Sequence, residues 1–288
     1  MNQHQNKKSS LDHSAIIKKK TTMKDENKIV MGAAYRRKQQ ILTMLLEANT
    51  NAFLAKANIQ QGMQGLVLNS EEGDLTRVLA EAVKKTGNIV GVDTHSLNIE
   101  IAKQHAVNSN YNNIQYFLSE EKDAYQSQKY DFVFARFLFS KSQNPGKEAE
   151  QVFQLLKPGG LFLYQEMDFL KHYCFPSNFA FTRYLDLYAK LAKKQGLDIR
   201  IGGQLNPILK AKGFNNIRSY QVQSFFLNGL AKSFSSLMLE SISDQLIYEN
   251  LALDIEVNAL VEELKYFEQQ PETILSLPGL YQAQAQKL

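Results

Sequence analysis

Short apolar runs and helical patterns alternate along the middle of this chain. An apolar run at 66–68 precedes a stretch in which apolar side chains recur at helical spacing from Leu75 to Val83. A second apolar run follows at 89–92, and three more occur at 114–118, 130–135 and 161–164. Strands that alternate with helices are typical of a parallel sheet covered by helices on both faces. The pattern therefore predicts an α/β fold.

Helical patterns also flank this region. Apolar residues recur near one face from Ala33 onward, and the segment 53–57 is predicted to continue as a second short helix. In the last third, a mostly helical stretch separates a strand predicted at 217–226 from an alternating Gln/Ala segment that begins at Tyr281. Such alternation suits a half-exposed strand, so we expect a helical cap inserted before the last strand of the sheet. The predicted organisation is a tail at 1–28, N-terminal helices at 29–62, a ligand-binding core at 63–170, and a C-terminal half with the helical cap at 171–288.

The net charge of +4 belongs entirely to the predicted tail. Residues 1–28 contain seven lysines and three acidic residues, so residues 29–288 carry no net charge. A polar, Lys-rich segment without periodicity is typical of a disordered extension, although a basic tail is also able to contact nucleic acid or an anionic surface. The neutral remainder argues against nucleic acid as the main partner.

The single cysteine, Cys174, limits which kinds of stabilising cross-link and metal site the chain can have. It excludes an internal disulfide framework and a Cys-rich zinc cluster, and it favours a reducing setting. No apolar run is long enough to span a membrane, and the first ten residues lack the apolar centre of a signal peptide. We therefore expect a cytoplasmic protein with no membrane span and no metal site.

Polar side chains follow the predicted strands at the points where those strands end. In an open parallel sheet, ligands bind beyond the carboxyl ends of the strands. We therefore expect one site that collects the polar residues after five successive strands: Asn69, Asp93, Ser119 with Glu120, Arg136, and Glu166.

Four segments resemble motifs of one enzyme family. Residues 73–76 (GDLT) resemble the end of its glycine-rich motif, and 91–93 (GVD) resemble the strand end whose acid binds the cofactor ribose. Residues 130–136 resemble its fourth-strand motif, and 156–160 (LKPGG) resemble the turn before its fifth strand, which is the most specific of the four. Over most of residues 33–288, the chain is similar to class I S-adenosylmethionine-dependent methyltransferases of the small-molecule kind, related to the ubiquinone/menaquinone methyltransferases.

This resemblance implies a fold, an activity and a set of site residues. The fold would be a Rossmann-like seven-stranded sheet whose last strand is antiparallel, and the activity would be direct transfer of a methyl group from S-adenosylmethionine to a small molecule. Arg136, which could hold an anionic acceptor, and Glu166, which could act as a general base, are the candidates for catalysis. The residues implied for cofactor binding are Asn69, Glu71, Gly73, Asp93, Thr94, Ser119, Glu120 and Arg136.

The glycine-rich loop departs from the family pattern. Aligned without gaps, its three glycines fall on Asn69, Glu71 and Gly73, and the preceding acidic residue falls on Val67. A residue with a Cβ atom held at positive φ costs about 1–2 kcal/mol. Glu71 would either repel the cofactor carboxylate or pair with the cofactor ammonium.

The departure keeps a second hypothesis open. The same fold with a decayed loop would serve as a binding or interaction module without activity. A nicotinamide-dependent oxidoreductase would instead need G-x-G-x-x-G after the first strand, and this motif is absent.

Overall fold

The computed structural model describes residues 33–288, and the tail predicted at 1–28 lies outside the described residues. The longer helices of this part are α1 (Ala33–Lys56), α2 (Asp74–Val83), α3 (Ser96–Asn108), α4 (Lys122–Gln126), α5 (Pro145–Leu155), α6 (Phe179–Lys194), α7 (Ile201–Ala211), α8 (Phe234–Tyr248) and α9 (Asp254–Gln269). Short 3-10 helices occur at Phe139–Lys141, Phe169–Lys171 and Leu230–Ser233. The strands are β1 (Gln64–Leu68), β2 (Asn88–Asp93), β3 (Ile114–Leu118), β4 (Tyr130–Arg136), β5 (Leu156–Asp168), β6 (Cys174–Phe175), β7 (Phe214–Val222), β8 (Phe225–Phe226), β9 (Ile274–Ser276) and β10 (Gly279–Lys287).

Seven strands form one sheet in the order β3-β2-β1-β4-β5-β10-β7. Strands β1 to β5 pair in parallel, and β10 lies antiparallel between β5 and β7. The seven-stranded Rossmann-like fold, with its antiparallel last strand, is therefore confirmed. The helical cap also lies where it was predicted, because α8 and α9 precede β10 in the chain.

Helix α1 differs from the prediction of two separate helices. It runs without a break from Ala33 to Lys56. The polar segment around Thr50 stays helical because the buried Thr50 hydroxyl accepts hydrogen bonds from Arg136 and Gln165 of the sheet. These bonds fasten the helix to the ends of β4 and β5, so no turn is needed for its second half to reach the core.

Strand β5 is longer than the predicted run at 161–164. Leu156 pairs with Tyr130, and Leu161 pairs with Phe132, so the extra residues of the LKPGG segment bulge out between these two pairs. The strand then continues to Asp168. This extension places Glu166 inside the strand, opposite Tyr281 of β10.

The C-terminal half adds a helical layer beyond the end of β5. Helices α1, α6, α8 and α9 share a hydrophobic core with Met167 and Phe169. A small sheet, in the order β6-β9-β8, contributes Leu275 to the same core. The helical layer therefore covers the edge of the large sheet at which the predicted site residues meet.

Candidate active site

The loop after β1 has a glycine-like shape at all three positions that the family pattern assigns to glycine. The φ angles are 59° at Asn69, 50° at Glu71 and 84° at Gly73. Two side-chain contacts hold Asn69 in this conformation: its Nδ2 donates to the Arg136 carbonyl at 2.7 Å, and its Oδ1 accepts from Lys141 Nζ at 3.1 Å. The loop has therefore kept its backbone path although two of the three glycines are replaced.

The remaining glycine, Gly73, is required by packing as well as by its φ angle. A Cβ atom at this position would lie 2.5 Å from the Tyr116 hydroxyl and 3.0 Å from Ala102 Cβ. Gly73 is also the residue that precedes α2, whereas Asp74 is the first helical residue and pairs with Arg77. Gly73 contributes to the site through its backbone.

Asp93 ends β2 as a buried carboxylate, 2% exposed. Its Oδ1 accepts from the His95 amide at 2.9 Å and from Asn98 Nδ2 at 3.0 Å. Its Oδ2 accepts from the Glu71 amide at 2.9 Å. Because a carboxylate has about four acceptor positions, Asp93 keeps room for about one further donor rather than for a pair of hydroxyls.

A first cavity, of about 550 Å³, opens beside Asp93. Its apolar wall comes from Leu68, Val92, Leu138, Val152 and Leu155. An apolar wall facing a carboxylate suits a flat aromatic base joined to a polar sugar. The predicted site residues that line this cavity are Asn69, Asp93, Thr94 and Ser119.

The other predicted cofactor residues lie elsewhere. Glu120 is exposed and does not line the first cavity, and the neighbouring Glu121 turns back to accept from the Leu118 amide. Glu71 lines a second cavity, described below, while Gly73 lines neither. Four of the predicted cofactor residues thus line the first cavity together, whereas Glu71, Gly73 and Glu120 lie outside it.

Arg136 ties α1 to the sheet. Its Nε donates to Gln165 Oε1 at 3.0 Å and one terminal nitrogen donates to Thr50 Oγ1 at 2.9 Å. Within residues 33–288, Arg136 makes no ion pair with Glu166 or Asp168, although both lie near the end of the neighbouring strand β5. Its side chain faces a groove between α1 and α2 rather than the first cavity.

The second cavity, of about 170 Å³, lies between α1, the end of β5 and the helical layer. Apolar side chains form most of its wall, among them Leu42, Phe137, Met167, Phe169, Phe234 and Met238. Its polar end is formed by Tyr35, Lys38, Glu71 and Lys141. Lys141 also lines the first cavity, so this residue lies on the boundary between the two.

Glu71 holds a carboxylate at the polar end of the second cavity. Gln39 Nε2 donates to its Oε1. Burial raises the pKa of Glu71 above its usual range, against the lowering effect of Lys141 and Arg136. The side chain is therefore a poorly solvated acid, for which an additional cationic partner would be favourable.

Glu166 is fully buried in β5. Its Oε1 accepts from the Phe139 amide at 2.7 Å, and its Oε2 has no hydrogen-bond partner among the described residues. Burial raises its pKa to about 7, although the bond from Phe139 works in the opposite direction. Glu166 is therefore able to hold or release a proton near neutral pH, but it lines neither cavity.

Sequence reasoning missed Tyr35, Lys38 and Lys141. The first two lie on the same stripe of α1 as Leu42, three and seven residues apart in the chain, which is one helical face. A lysine within an apolar stripe is a signal that could have been noticed. The position of Lys141 has no such signal, because it depends on the 3-10 helix after β4.

Residues 33–288 contain no group of three or more His, Cys, Asp or Glu side chains arranged for a metal ion. None of their helices is long and apolar enough to cross a membrane.

The strand order and the acid at the end of β2, beside a large cavity, define the Rossmann-like sheet of methyltransferases. The chain belongs to the methyltransferase domain family, whose model matches residues 59–206, just over half of the 288 residues.

Individual relatives match shorter segments. The chain is 29% identical, over 112 residues, to a ubiquinone/menaquinone biosynthesis C-methyltransferase of Hydrogenovibrio crunogenus, covering 38% of this chain and 44% of the relative. It is 30% identical, over 125 residues, to the protein of the same name in Wigglesworthia glossinidia brevipalpis, covering 38% of this chain and 50% of the relative. The matched segments thus span no more than half the length of either relative.

Two solved structures show the same fold. A putative methyltransferase from Bacillus halodurans superposes with a TM-score of 0.54 at 13% identity, covering 83% of this chain and 99% of that one. Phosphoethanolamine N-methyltransferase 2 of Haemonchus contortus, solved with phosphomonomethylethanolamine and S-adenosylhomocysteine, gives a TM-score of 0.52 at 17% identity, covering 83% of this chain and 52% of that one. At these identities the likeness concerns the fold.

Proposed function

We propose that this protein transfers a methyl group from S-adenosylmethionine to a small-molecule acceptor. The observation that carries the proposal is Asp93, a buried carboxylate at the end of β2 that borders a cavity of about 550 Å³ with an apolar wall. Membership of the methyltransferase domain family, and relatives named as methyltransferases, support the same assignment. When bound, S-adenosylmethionine would supply an electrophilic methyl group on a sulfonium sulfur.

The residues around the first cavity would hold the adenosine part of this cofactor. Asp93 would accept a hydrogen bond from a ribose hydroxyl at its remaining acceptor position. Leu138 and Val152 would cover the base, with Thr94 and Ser119 at its polar edge. The amide bond from Glu71 to Asp93 joins the loop to this carboxylate, which pre-organises the site.

Glu71 would hold the amino end of the cofactor. Its carboxylate lies at the polar end of the second cavity, next to the boundary residue Lys141. An ammonium group would stabilise the charged form of this buried acid. Of the two alternatives that the sequence left open for Glu71, we therefore favour pairing with the cofactor ammonium over repulsion of the cofactor carboxylate.

The second cavity would take the acceptor. A volume of about 170 Å³ is close to that of engineered cavities that bind a benzene-sized ring, which supports a small molecule rather than a macromolecule. The lone cysteine, Cys174, is free, and we include a reducing, cytoplasmic setting in the proposal.

Calorimetry with the purified full chain tests the proposal. S-Adenosylmethionine and S-adenosylhomocysteine should both bind, and ligand at about a hundredfold over its Kd should stabilise the protein by about 2.7 kcal/mol. Asp93→Ala should abolish binding, while Glu120→Gln, at an exposed position outside the cavity, should not change it. Absence of heat and of any Tm shift at millimolar ligand would refute the enzyme assignment and favour the interaction-module hypothesis.

The role of Glu71 has its own test. Glu71→Gln should weaken S-adenosylhomocysteine about tenfold or more, because a charge-assisted hydrogen bond is lost. It should leave 5′-methylthioadenosine unaffected, since this probe has the nucleoside but no amino acid. Equal weakening of both ligands would show that Glu71 acts on the loop as a whole.

A further inference from the structure

Lys38 places a buried amine in the wall of the second cavity, where the amine lacks strong hydrogen-bond acceptors among the described residues. The residue is 8% exposed. Its Nζ lies 3.7 Å from Met238 Sδ, 3.5 Å from Ser241 Oγ and 4.5 Å from the centre of the Tyr35 ring. Among residues 33–288, no carboxylate forms an ion pair with this amine. Its contacts are thus a thioether, one long hydroxyl contact and an aromatic face.

Lys232, the other buried lysine of the described part, has the contacts expected of a lysine that only stabilises the fold. Lys232 is 3% exposed, and its Nζ donates to the carbonyls of Leu227, Gln270 and Thr273 and to the Thr273 hydroxyl, at 2.7–3.3 Å. A buried ammonium is stable when its donors are satisfied in this way. Lys38 has the same burial without those acceptors, so its donors remain available to a ligand in the cavity.

The remainder of the cavity wall defines the body of that ligand. Side chains such as Leu42, Phe137 and Phe169 surround a space of about 170 Å³. An apolar cavity of this size accommodates about one six-membered ring. The ligand should therefore be largely apolar and compact, with one polar group directed to the amine.

We propose that the methyl acceptor is an apolar molecule of about one ring in size that carries an anionic oxygen, a carboxylate or a phenolate, and that Lys38 binds this oxygen. The proposal deepens the function proposed above and rests on it. Lys38 is on this basis a positioning residue that also selects the charge of the acceptor. Its helix, α1, is fixed to the sheet through Thr50, about three turns further along the same helix.

Charged and titratable groups on each neighbouring element act on Lys38. Tyr35 lies on the same helix, Glu71 on the loop after β1 and Lys141 on the 3-10 helix after β4, while α8 presents Met238 and Ser241. Burial, followed by repulsion from Lys141, lowers the pKa of Lys38 to about 8, against the attraction of Glu71. The amine is therefore charged at neutral pH and becomes neutral in mildly alkaline solution.

Probe binding to the full chain tests this inference. We would titrate benzoate, 4-nitrophenolate and the neutral benzamide by calorimetry into wild-type protein, Lys38→Met and the matched control Lys56→Met, an exposed lysine of the same helix. Wild type and Lys56→Met should bind at least one anionic probe about tenfold more tightly than benzamide, because charge-assisted hydrogen bonds exceed neutral ones. Lys38→Met should lose this preference. Comparison of benzoate with 4-nitrophenolate distinguishes a carboxylate from a phenolate acceptor.

A pH series provides a readout that a purely structural lysine would not change. The anion preference of wild type should fall as pH rises through about 8, and Lys38→Met should have no such dependence. If Lys38→Met does not fold, the wild-type series still decides the question. A preference that persists at about pH 10, binding of both anionic probes no tighter than that of benzamide, or no binding of any probe would overturn the inference.

The outcome can be separated from failure of the proposed function. S-Adenosylhomocysteine is titrated into the same wild-type preparation. If it binds and the anionic probes do not, only the assignment of Lys38 is wrong. If it does not bind, the methyltransferase assignment fails, whatever the probes do.

Discussion

The two sides of the site satisfy their polar groups in opposite ways. On the cofactor side, Asp93 accepts three hydrogen bonds, two of them from backbone amides, and Asn69 is held at both ends of its amide. On the helical side, which includes the end of β5, three buried polar atoms lack hydrogen-bond partners among the described residues: Glu166 Oε2, His172 Nδ1 and Tyr184 OH. Ser70 Oγ is the exception on the cofactor side. Apart from Ser70 and one acceptor position of Asp93, the cofactor side satisfies its own polar groups, whereas the helical side retains more unused hydrogen-bonding capacity.

Backbone geometry explains the difference. Loops that follow parallel strands leave amide groups unpaired at one edge of the sheet, so a carboxylate placed there finds donors without help from side chains. Helices use their own amides internally, so a polar side chain buried among them, such as Tyr184 of α6, depends on other side chains for partners. The cofactor side can thus tolerate changes of side chain as long as the loop keeps its path.

Gly73→Ala would break the cofactor side most severely. The new Cβ would be 2.5 Å from the Tyr116 hydroxyl at a positive φ, so we expect a loss of about 2–5 kcal/mol from strain and overpacking together. Glu71→Gly, at another positive-φ position of the same loop, should change the stability by no more than about 1 kcal/mol. Urea unfolding measures both variants, and similar losses would show that side chains rather than backbone path hold the loop.

Glu166→Gln tests whether the unpaired, buried Glu166 carboxyl group of the helical side reduces the stability of the protein. Burial raises the pKa of Glu166 to about 7, so the stability that the protonated group provides is full below the unfolded pKa and is lost as pH rises through about 7. The variant should therefore gain about 3 kcal/mol over wild type at about pH 8, and almost nothing at about pH 4.5. Glu100→Gln, at an exposed position of α3, is the control. A gain that does not depend on pH would contradict this explanation.

His172 should produce a smaller effect with the opposite pH dependence. Its ring lies among Phe169, Phe181 and Phe234, and burial lowers its pKa to about 3. Because the unfolded state binds the proton first, stability should fall by about 2 kcal/mol as pH drops from 6.5 to about 5.

The variant His172→Phe should lose part of this acid sensitivity. It gives up the contact of Nε2 with the Ser235 hydroxyl, so its stability at neutral pH should be somewhat lower. His95→Gln, near the cofactor side, should keep the full acid sensitivity. An unchanged slope in His172→Phe would show that another group titrates.

Local patterns were enough to predict the sheet, but not the contacts that complete the site. The apolar runs and the polar residues that end them predicted the group around Asp93, because the strand ends of a parallel sheet meet at one edge. The partners of Arg136, which are Thr50 and Gln165, could not be read from spacing, since a guanidinium at a strand end has many possible partners. The position of Lys38 in an apolar stripe was a readable signal, but its surroundings were not, because its neighbour Met238 is 200 residues away in the chain.

The distance along the chain between α1 and α8 also affects the order in which the protein folds during synthesis. Helix α1 is the first described element to leave the ribosome, but α8, which supplies Met238 and Ser241, follows much later. Strands β1 to β5 can pair while synthesis continues, whereas the second cavity closes only after α8 has emerged. A nascent or C-terminally shortened chain would thus expose to solvent the apolar residues of α1 that α8 covers in the complete fold, and such transiently exposed apolar surface promotes aggregation.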